Sequence, residues 1–435
     1  MIEASAGCLG ERVLWDRVPG GLVVYVMPRR RWRRCSVLLT VAFGAVDTAL
    51  WLDGVRAPLE LPAGVAHFLE HRLFEKAAGD ITERFGAQGA EVDADTAFTH
   101  TGFSCSCRSE VLPAVLDLLF ELAFTVRLDA ASVTHERRII AHEIRLVAEL
   151  PEEARYFQAL ATVFPGTRLA QDIAGTEKSL ERIDGRLLRV CHEAVYRAAN
   201  AALFVCGDVE AEAVLDWAAQ SLRRYPQATA PASARLRRRV LRPRAARRRT
   251  KRMSVARPFL TLAFGDPCAG SSGPALLRRE MALEMALHAL YGPGSALCAR
   301  AHEAGLIERG SFGFEANLEP AFGTCLLGGE TPAPAELERA LLATLDEAHR
   351  SGLDPADFEL ARRRMYGNLV RVFDSPELCV EGMQSAVSCG AGPLDFLTVF
   401  PEVTLAEAEA CMRSFLVPAA CGVATIVPDG WAAGT

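Results

Sequence analysis

Apolar and polar positions alternate along this chain in blocks that read as strands and helices in turn. Gly21–Pro28 and Ser36–Gly44 are rich in β-branched residues, bounded by Gly and Pro, and predict core strands. The next block, Gly64–Phe74 (GVAHFLEHRLF), has a helical period, with Val65, Phe68, Leu69 and Leu73 forming one apolar stripe. Ala97–Cys107 predicts an alternating strand, and Glu110–Phe124 a helix with Pro113 in its first turn. Ser132–Glu149 has a helical core face made of Val133, Ile140, Ile144 and Val147. Tyr156–Ile183 reads as a loop and a short helix, Leu187–Ala199 as a helix, Ala201–Gly207 as a strand and Glu210–Tyr225 as a helix.

Beyond residue 257 the order returns. Pro258–Phe264 predicts a strand, Ala275–Tyr291 a long helix, and Gly310–Gly329 two strands. Ala333–Ser351 and Pro355–Val372 read as helices, and Gly422–Val427 as a closing strand. The pattern is an internal duplication with units of about 200 residues. It divides the chain into a first half, residues 1–225, a linker, 226–257, and a second half, 258–435.

Charge sharpens that division. The chain carries −6 overall, yet Arg235–Arg252 holds eleven Arg and Lys and no acid, which leaves −17 on the rest. With Pro243 and little periodicity, this run reads as a solvated inter-domain connector. Nothing beside it resembles a nucleic-acid module, so no nucleic-acid partner is expected. The acidic remainder would favour basic peptides. No apolar run reaches membrane-span length and no secretory signal is visible at the N-terminus. Thirteen cysteines without Cys-x-x-Cys pairs suggest reduced thiols in a cytoplasm.

The candidate chemistry sits on Gly64–Phe74. His67 and His71 lie four apart, so both imidazoles leave one face on adjacent turns, with Glu70 beside them. Two such imidazoles can hold one Zn²⁺, leaving room for a third ligand and a water, and an adjacent carboxylate is placed to take that water's proton. His-x-x-Glu-His is the inverzincin order. For the third ligand, Glu136 and Glu143 are seven apart and share a helix face, while His142 points about 100° away. Spacing leaves these three open.

Together, AHFLEHRLFEK, HERRIIAHEI, Pro165–Ile183 with Ala174-Gly-Thr176, and Leu327-Gly-Gly-Glu330 resemble the pitrilysin/insulinase family of zinc peptidases, in its short bacterial processing-peptidase-like branch. The resemblance covers nearly the whole chain. It implies an α/β fold (α+β) of two homologous halves, each an α/β roll with an antiparallel-rich sheet and helices packed on it. It also implies one Zn²⁺ per chain held by His67, His71 and Glu143, with Glu70 as the base and Glu136 behind the ligands. A peptide substrate would be held as an extra strand on Ala90–Thr101, inside a chamber closed by two bowls. Where the family has Asn-Ala on that strand, this chain has Asp93-Ala94.

The family's full-length enzymes carry an Arg and a Tyr seven apart that stabilise the oxyanion. This chain has Ala301 and Glu308 in those places. A homologous partner subunit supplying the pair, in a heterodimer, is therefore expected over a homodimer. The activity implied is endopeptidase cleavage of peptides or extended segments, such as leader removal from a ribosomally made peptide. The alternative is a catalytically silent peptide-binding scaffold subunit.

Overall fold

The computed structural model of the chain describes residues 1–6, 9–77, 79–230, 234–244, 247–308 and 310–431. Two main sheets organise it. The first has seven strands in the spatial order Ile2–Ala6, Glu11–Arg17, Val23–Pro28, Ala201–Gly207, Cys35–Val41, Thr101–Cys107, Glu91–Thr96. The second runs Arg248–Met253, Gly422–Pro428, Phe259–Gly265, Phe322–Glu330, Phe312–Glu319. Leaving aside the N-terminal hairpin of the first, each sheet has its strands in the spatial order first, fifth, second, fourth, third. In each, the first and fifth strands are parallel and the other neighbours antiparallel. The duplication in the sequence is thus a duplication of topology, and the chain is a mixed α/β protein of two like halves.

In the first half, helices Val65–Phe74 and Leu112–Phe124 bury Phe68, Leu69, Val115 and Leu119 with Val37, Leu39 and Phe103 of the sheet in one core. Each fully buried side chain of this size contributes about 1.5–3 kcal/mol. The sheet's opposite face is equally apolar and is covered by the other half. Helix Pro376–Ser388 lies across Cys35–Val41 and Ala201–Gly207, placing Val380 and Met383 in a core with Leu38, Phe204 and Cys206. Helix Pro151–Val163 does the reverse, putting Ala159, Leu160 and Val163 against Ala263, Leu326 and Ala424 of the second sheet. Each half therefore lends one helix to the other's sheet.

This exchange accounts for one difference from the sequence reading, which gives Tyr156–Ile183 as a loop with a short helix. A helix spans Pro151–Val163, starts at a proline suited to its first turn, and spends its apolar stripe on the other half. The basic run differs too. It is not solvated connector throughout, because Ala234–Leu236 pairs with Ala49–Leu52 and Arg248–Met253 forms an edge strand of the second sheet. Arg238 anchors it between them on Asp47, whose side chain is 1% exposed, at 2.8 Å. The described cysteines are all free thiols. No helix among the described residues is long and apolar enough to cross a membrane.

The N-terminus of helix Val65–Phe74 is set by two glycines. Gly64 has φ +83 and a Cβ there would meet the Ala174 carbonyl oxygen at 2.1 Å; a Cβ on Gly175, φ +85, would meet the Ala63 carbonyl oxygen at 2.6 Å. Both contacts are to backbone, which cannot yield without moving the helix. Gly175→Ala is therefore expected to cost more than about 2 kcal/mol in urea unfolding, combining left-handed strain with the clash. Gly166→Ala, with φ +76 in open space, should cost only the strain, about 1–2 kcal/mol.

Candidate metal centre

Helix Val65–Phe74 packs against the sheet through its apolar stripe and presents His67 and His71 on its opposite side, ring centroids 4.5 Å apart. Helix Ala130–Glu149, N-capped by the Asp129 carboxylate, crosses it. It brings Glu143 Oε2 to 3.3 Å from His67 Nε2 and 3.6 Å from His71 Nε2. Ligand atoms of His67, His71 and Glu143 all lie within 4.8 Å of one another. His142, the rival third ligand, is exposed and takes no part in this group.

The remaining groups fix this trio. Glu136 is buried and bridges two partners, with Oε1 3.0 Å from His71 Nδ1 and Oε2 accepting from Arg72 Nη1 at 3.0 Å. Engaging Nδ1 leaves His71 Nε2 free to face Glu143, which sets the tautomer a metal ligand needs. The Arg72 side chain is 1% exposed, and it also meets Glu75 at 2.5 Å and the Arg127 carbonyl oxygen at 3.4 Å. Glu70 is buried, accepts a hydrogen bond from Thr96 Oγ1 at 2.8 Å, and lies 3.5 Å from His67 Nδ1. Thr96 ends strand Glu91–Thr96, the outermost of its sheet, so Glu70 is tied directly to the sheet edge.

The electrostatics follow from these contacts. Burial alone would lower the pKa of His67, but hydrogen bonds to Glu143 and Glu70 more than offset it and raise the value to about 9. Glu143 is held below the usual carboxylate range by its bond to His67. Glu136 is lowered as well: burial opposes this, and His71 and Arg72 outweigh it. Two nitrogens and a carboxylate oxygen converging on one point form a donor set suited to Zn²⁺. The residues present fit the ion.

Three participants lie outside the sequence expectation. Thr96 and Arg72 carry no motif signal, and Asp172 enters from the loop before Gly175. The Asp172 carboxylate accepts from the Ala174 N–H at 2.8 Å; burial raises its pKa, while the nearby charge of His67 opposes the rise and that of Glu143 adds to it. Ala301 is buried on helix Ala296–Glu303, and Glu308 is exposed and ion-paired with Arg257.

Comparison with known proteins agrees with this geometry. The family described as Insulinase (Peptidase family M16) matches residues 53–177, and the Peptidase M16 inactive domain matches residues 183–365. The chain is 29% identical over 425 residues to a Bacillus subtilis (strain 168) protein named uncharacterized zinc protease YmfH, spanning 97% of each. Its fold superposes on a putative M16-like peptidase from Alicyclobacillus acidocaldarius with a TM-score of 0.89 and 27% identity, over 98% of this chain and all of that one. It also superposes on pitrilysin with a TM-score of 0.76 at 16% identity, over 98% of this chain and 46% of that one, a likeness of fold alone. Fold, matched domains and relatives converge: the chain belongs to the pitrilysin/insulinase (M16) peptidase family.

Proposed function

We propose that this chain is the zinc-bearing subunit of a metalloendopeptidase that cleaves extended peptides. The observation that carries the reading is the convergence of His67, His71 and Glu143, with Glu70 beside them and tied to the sheet edge. When bound there, zinc would polarise the scissile carbonyl and lower the pKa of a water. Glu70 takes the proton of the attacking water and hands it to the leaving amine. Glu136 orients His71 and is itself held by Arg72. The substrate backbone adds to the free edge of Glu91–Thr96, main chain to main chain, so that Thr96 sets its register against Glu70.

The side chains of that edge strand also speak to substrate. Glu91, Asp93 and Asp95 alternate on its exposed face, which favours Lys or Arg on the matching face of the peptide. In the sequence, Ala301 and Glu308 stand at the positions where the family's full-length enzymes carry the oxyanion-stabilising Arg and Tyr. A homologous partner subunit, in a heterodimer, supplies them. Maturation of a ribosomally made peptide by leader removal is the task we assign to such a pair.

Glu70→Gln keeps zinc by metal analysis and lowers turnover of a diverse peptide pool, read by mass spectrometry, by about 10²–10⁴-fold. Unchanged turnover would remove Glu70 from the base role. Zinc uptake must displace the proton from His67. Because the metal-free pKa is raised to about 9, that proton is held below pH 9 and lost above it. Apparent zinc affinity should thus rise about tenfold per pH unit between pH 7 and 9 and level off beyond, with proton release seen by calorimetry in buffers of different ionisation enthalpy. The heterodimer is tested by adding the neighbouring gene's product. Turnover should rise about 10²–10³-fold, the worth of an oxyanion donor, and full activity of the lone chain would exclude the partner.

A further inference from the structure

The fold consumes only part of the basic run joining the halves. Arg238 and Arg248 are tied to Asp47 and Glu338, Arg242 donates to the Pro267 carbonyl, and Arg252 to the carbonyls of Asp429 and Trp431. Among the described residues, Arg235, Arg237, Arg239, Arg244, Arg247 and Arg249 have no carboxylate within salt-bridge distance, and all six are exposed. Unpaired guanidiniums at this density are unusual in a chain whose remainder carries −17.

Their course runs beside the metal centre. At one end, Ala234–Leu236 pairs with Ala49–Leu52, and Arg237 stacks over the Trp51 ring, 5.0 Å from its centroid. Midway, Arg238 holds Asp47 and the Thr99 carbonyl, in the loop that follows edge strand Glu91–Thr96. At the other end, Arg249 and Lys251 line a cavity of about 270 Å³ shared with Ile144 and Val147 of the Glu143 helix and with Asp172. Lys251 Nζ donates to the Ala148 carbonyl of that helix at 3.3 Å.

From this placement we infer that the linker arginines form a track that binds an acidic segment of the peptide substrate, outside the stretch held on the edge strand. The inference rests on the peptidase reading above and names the class of substrate it takes: a peptide with a carboxylate-rich stretch separate from its cut site. Guanidiniums suit this better than ammoniums, since each presents a planar fork to a carboxylate. Arg235, Arg237 and Arg239 lie two residues apart, so an extended acidic peptide with Asp or Glu at every second position matches their spacing. A subunit interface fits less well, because interface cores are apolar and poor in charge, and here no apolar run between the arginines exceeds two residues. Single-stranded nucleic acid fits less well too, since stacking needs free aromatic faces and Trp51 is already covered by Arg237.

The test is binding, read by fluorescence anisotropy on the full zinc-loaded chain carrying Glu70→Gln, so that cleavage does not intervene. Two labelled 20-residue peptides are compared, one with alternating Asp and Glu in one half, the other with Asn and Gln in those places. At low salt the acidic peptide should bind roughly tenfold tighter, with the advantage fading as NaCl rises to about 0.5 M. Replacing Arg235, Arg239, Arg244 and Arg249 together by Ala should bring the two peptides within about twofold, while Lys at the same positions retains a preference intermediate between the parent and the Ala variant. Equal binding by the parent, or an undiminished preference in the Ala variant, overturns the proposal. So does an RNA oligonucleotide of equal length that competes more strongly than the acidic peptide, which would make the track a nucleic-acid surface. Should the Ala variant fail to fold by circular dichroism, the salt titration of the parent and the Lys variant decides. Failure of the peptidase reading would show separately, as absent zinc or absent Glu70-dependent cleavage.

Discussion

The buried ion pair of Arg72 and Glu136 is the constraint on which the metal centre depends. A guanidinium 1% exposed is tolerable only if its charge is met at close range, and removing one partner of such a pair typically costs 3–5 kcal/mol. Glu136 meets it with one oxygen and spends the other on His71. The same carboxylate therefore secures helix against helix and sets a ring tautomer. Because Glu143 lies two turns further along the helix that Glu136 anchors, its distance to both imidazoles follows from that contact. In the proposed zinc site, affinity for the metal and the stability of the first half would for this reason be coupled through one residue.

A second dependence joins the halves. Each sheet has two apolar faces and only one set of its own helices, and the other face must be covered from across the molecule. The exchanged helices Pro151–Val163 and Pro376–Ser388 do this symmetrically. The edge strand inherits its rigidity from the arrangement, since the sheet behind it is packed on both sides. Polar struts reinforce the same end: Thr99 donates to Glu319 at 3.1 Å, and Gln384 lies 3.2 Å from His100. A strand that is to pair with a passing peptide gains from being held this way, because less backbone freedom is lost on binding.

Where the sequence could be read, it was through local periodicity. His67, Glu70 and His71 share a helix whose stripe is complete within ten residues, and the strands flanking it are self-evident in Val, Leu and Phe. Glu143 was separable from Glu136 and His142 only through the family resemblance, since helical spacing allows all three. Thr96 was not legible at all: its hydroxyl matters because the edge strand happens to end above Glu70, a tertiary coincidence with no sequence period. Arg72 reads as an ordinary charged helix position, and only the approach of Glu136 makes its burial possible. The helix Pro151–Val163 was missed because its apolar stripe answers to residues more than a hundred positions away. Arg248–Met253 was missed because its alternation lacks an apolar face, as befits an edge strand whose outer side stays wet.

The distribution of charge ties these features to substrate. Acidic side chains line the exposed face of the edge strand, at Glu91, Asp93 and Asp95, whereas the linker, which touches the loop after that strand and the end of the Glu143 helix, is a run of arginines. A peptide of uniform charge would be attracted by one surface and repelled by the other. One with a basic stretch around its cut site and an acidic stretch beyond it would be drawn to both, and in only one orientation. Net charge, −6 for the whole chain, conceals this polarity entirely. In the proposed mode, main-chain pairing on the edge strand is indifferent to sequence, so the orientation of a bound peptide, and with it the bond presented to Glu70, would be set by the side chains on these two oppositely charged surfaces.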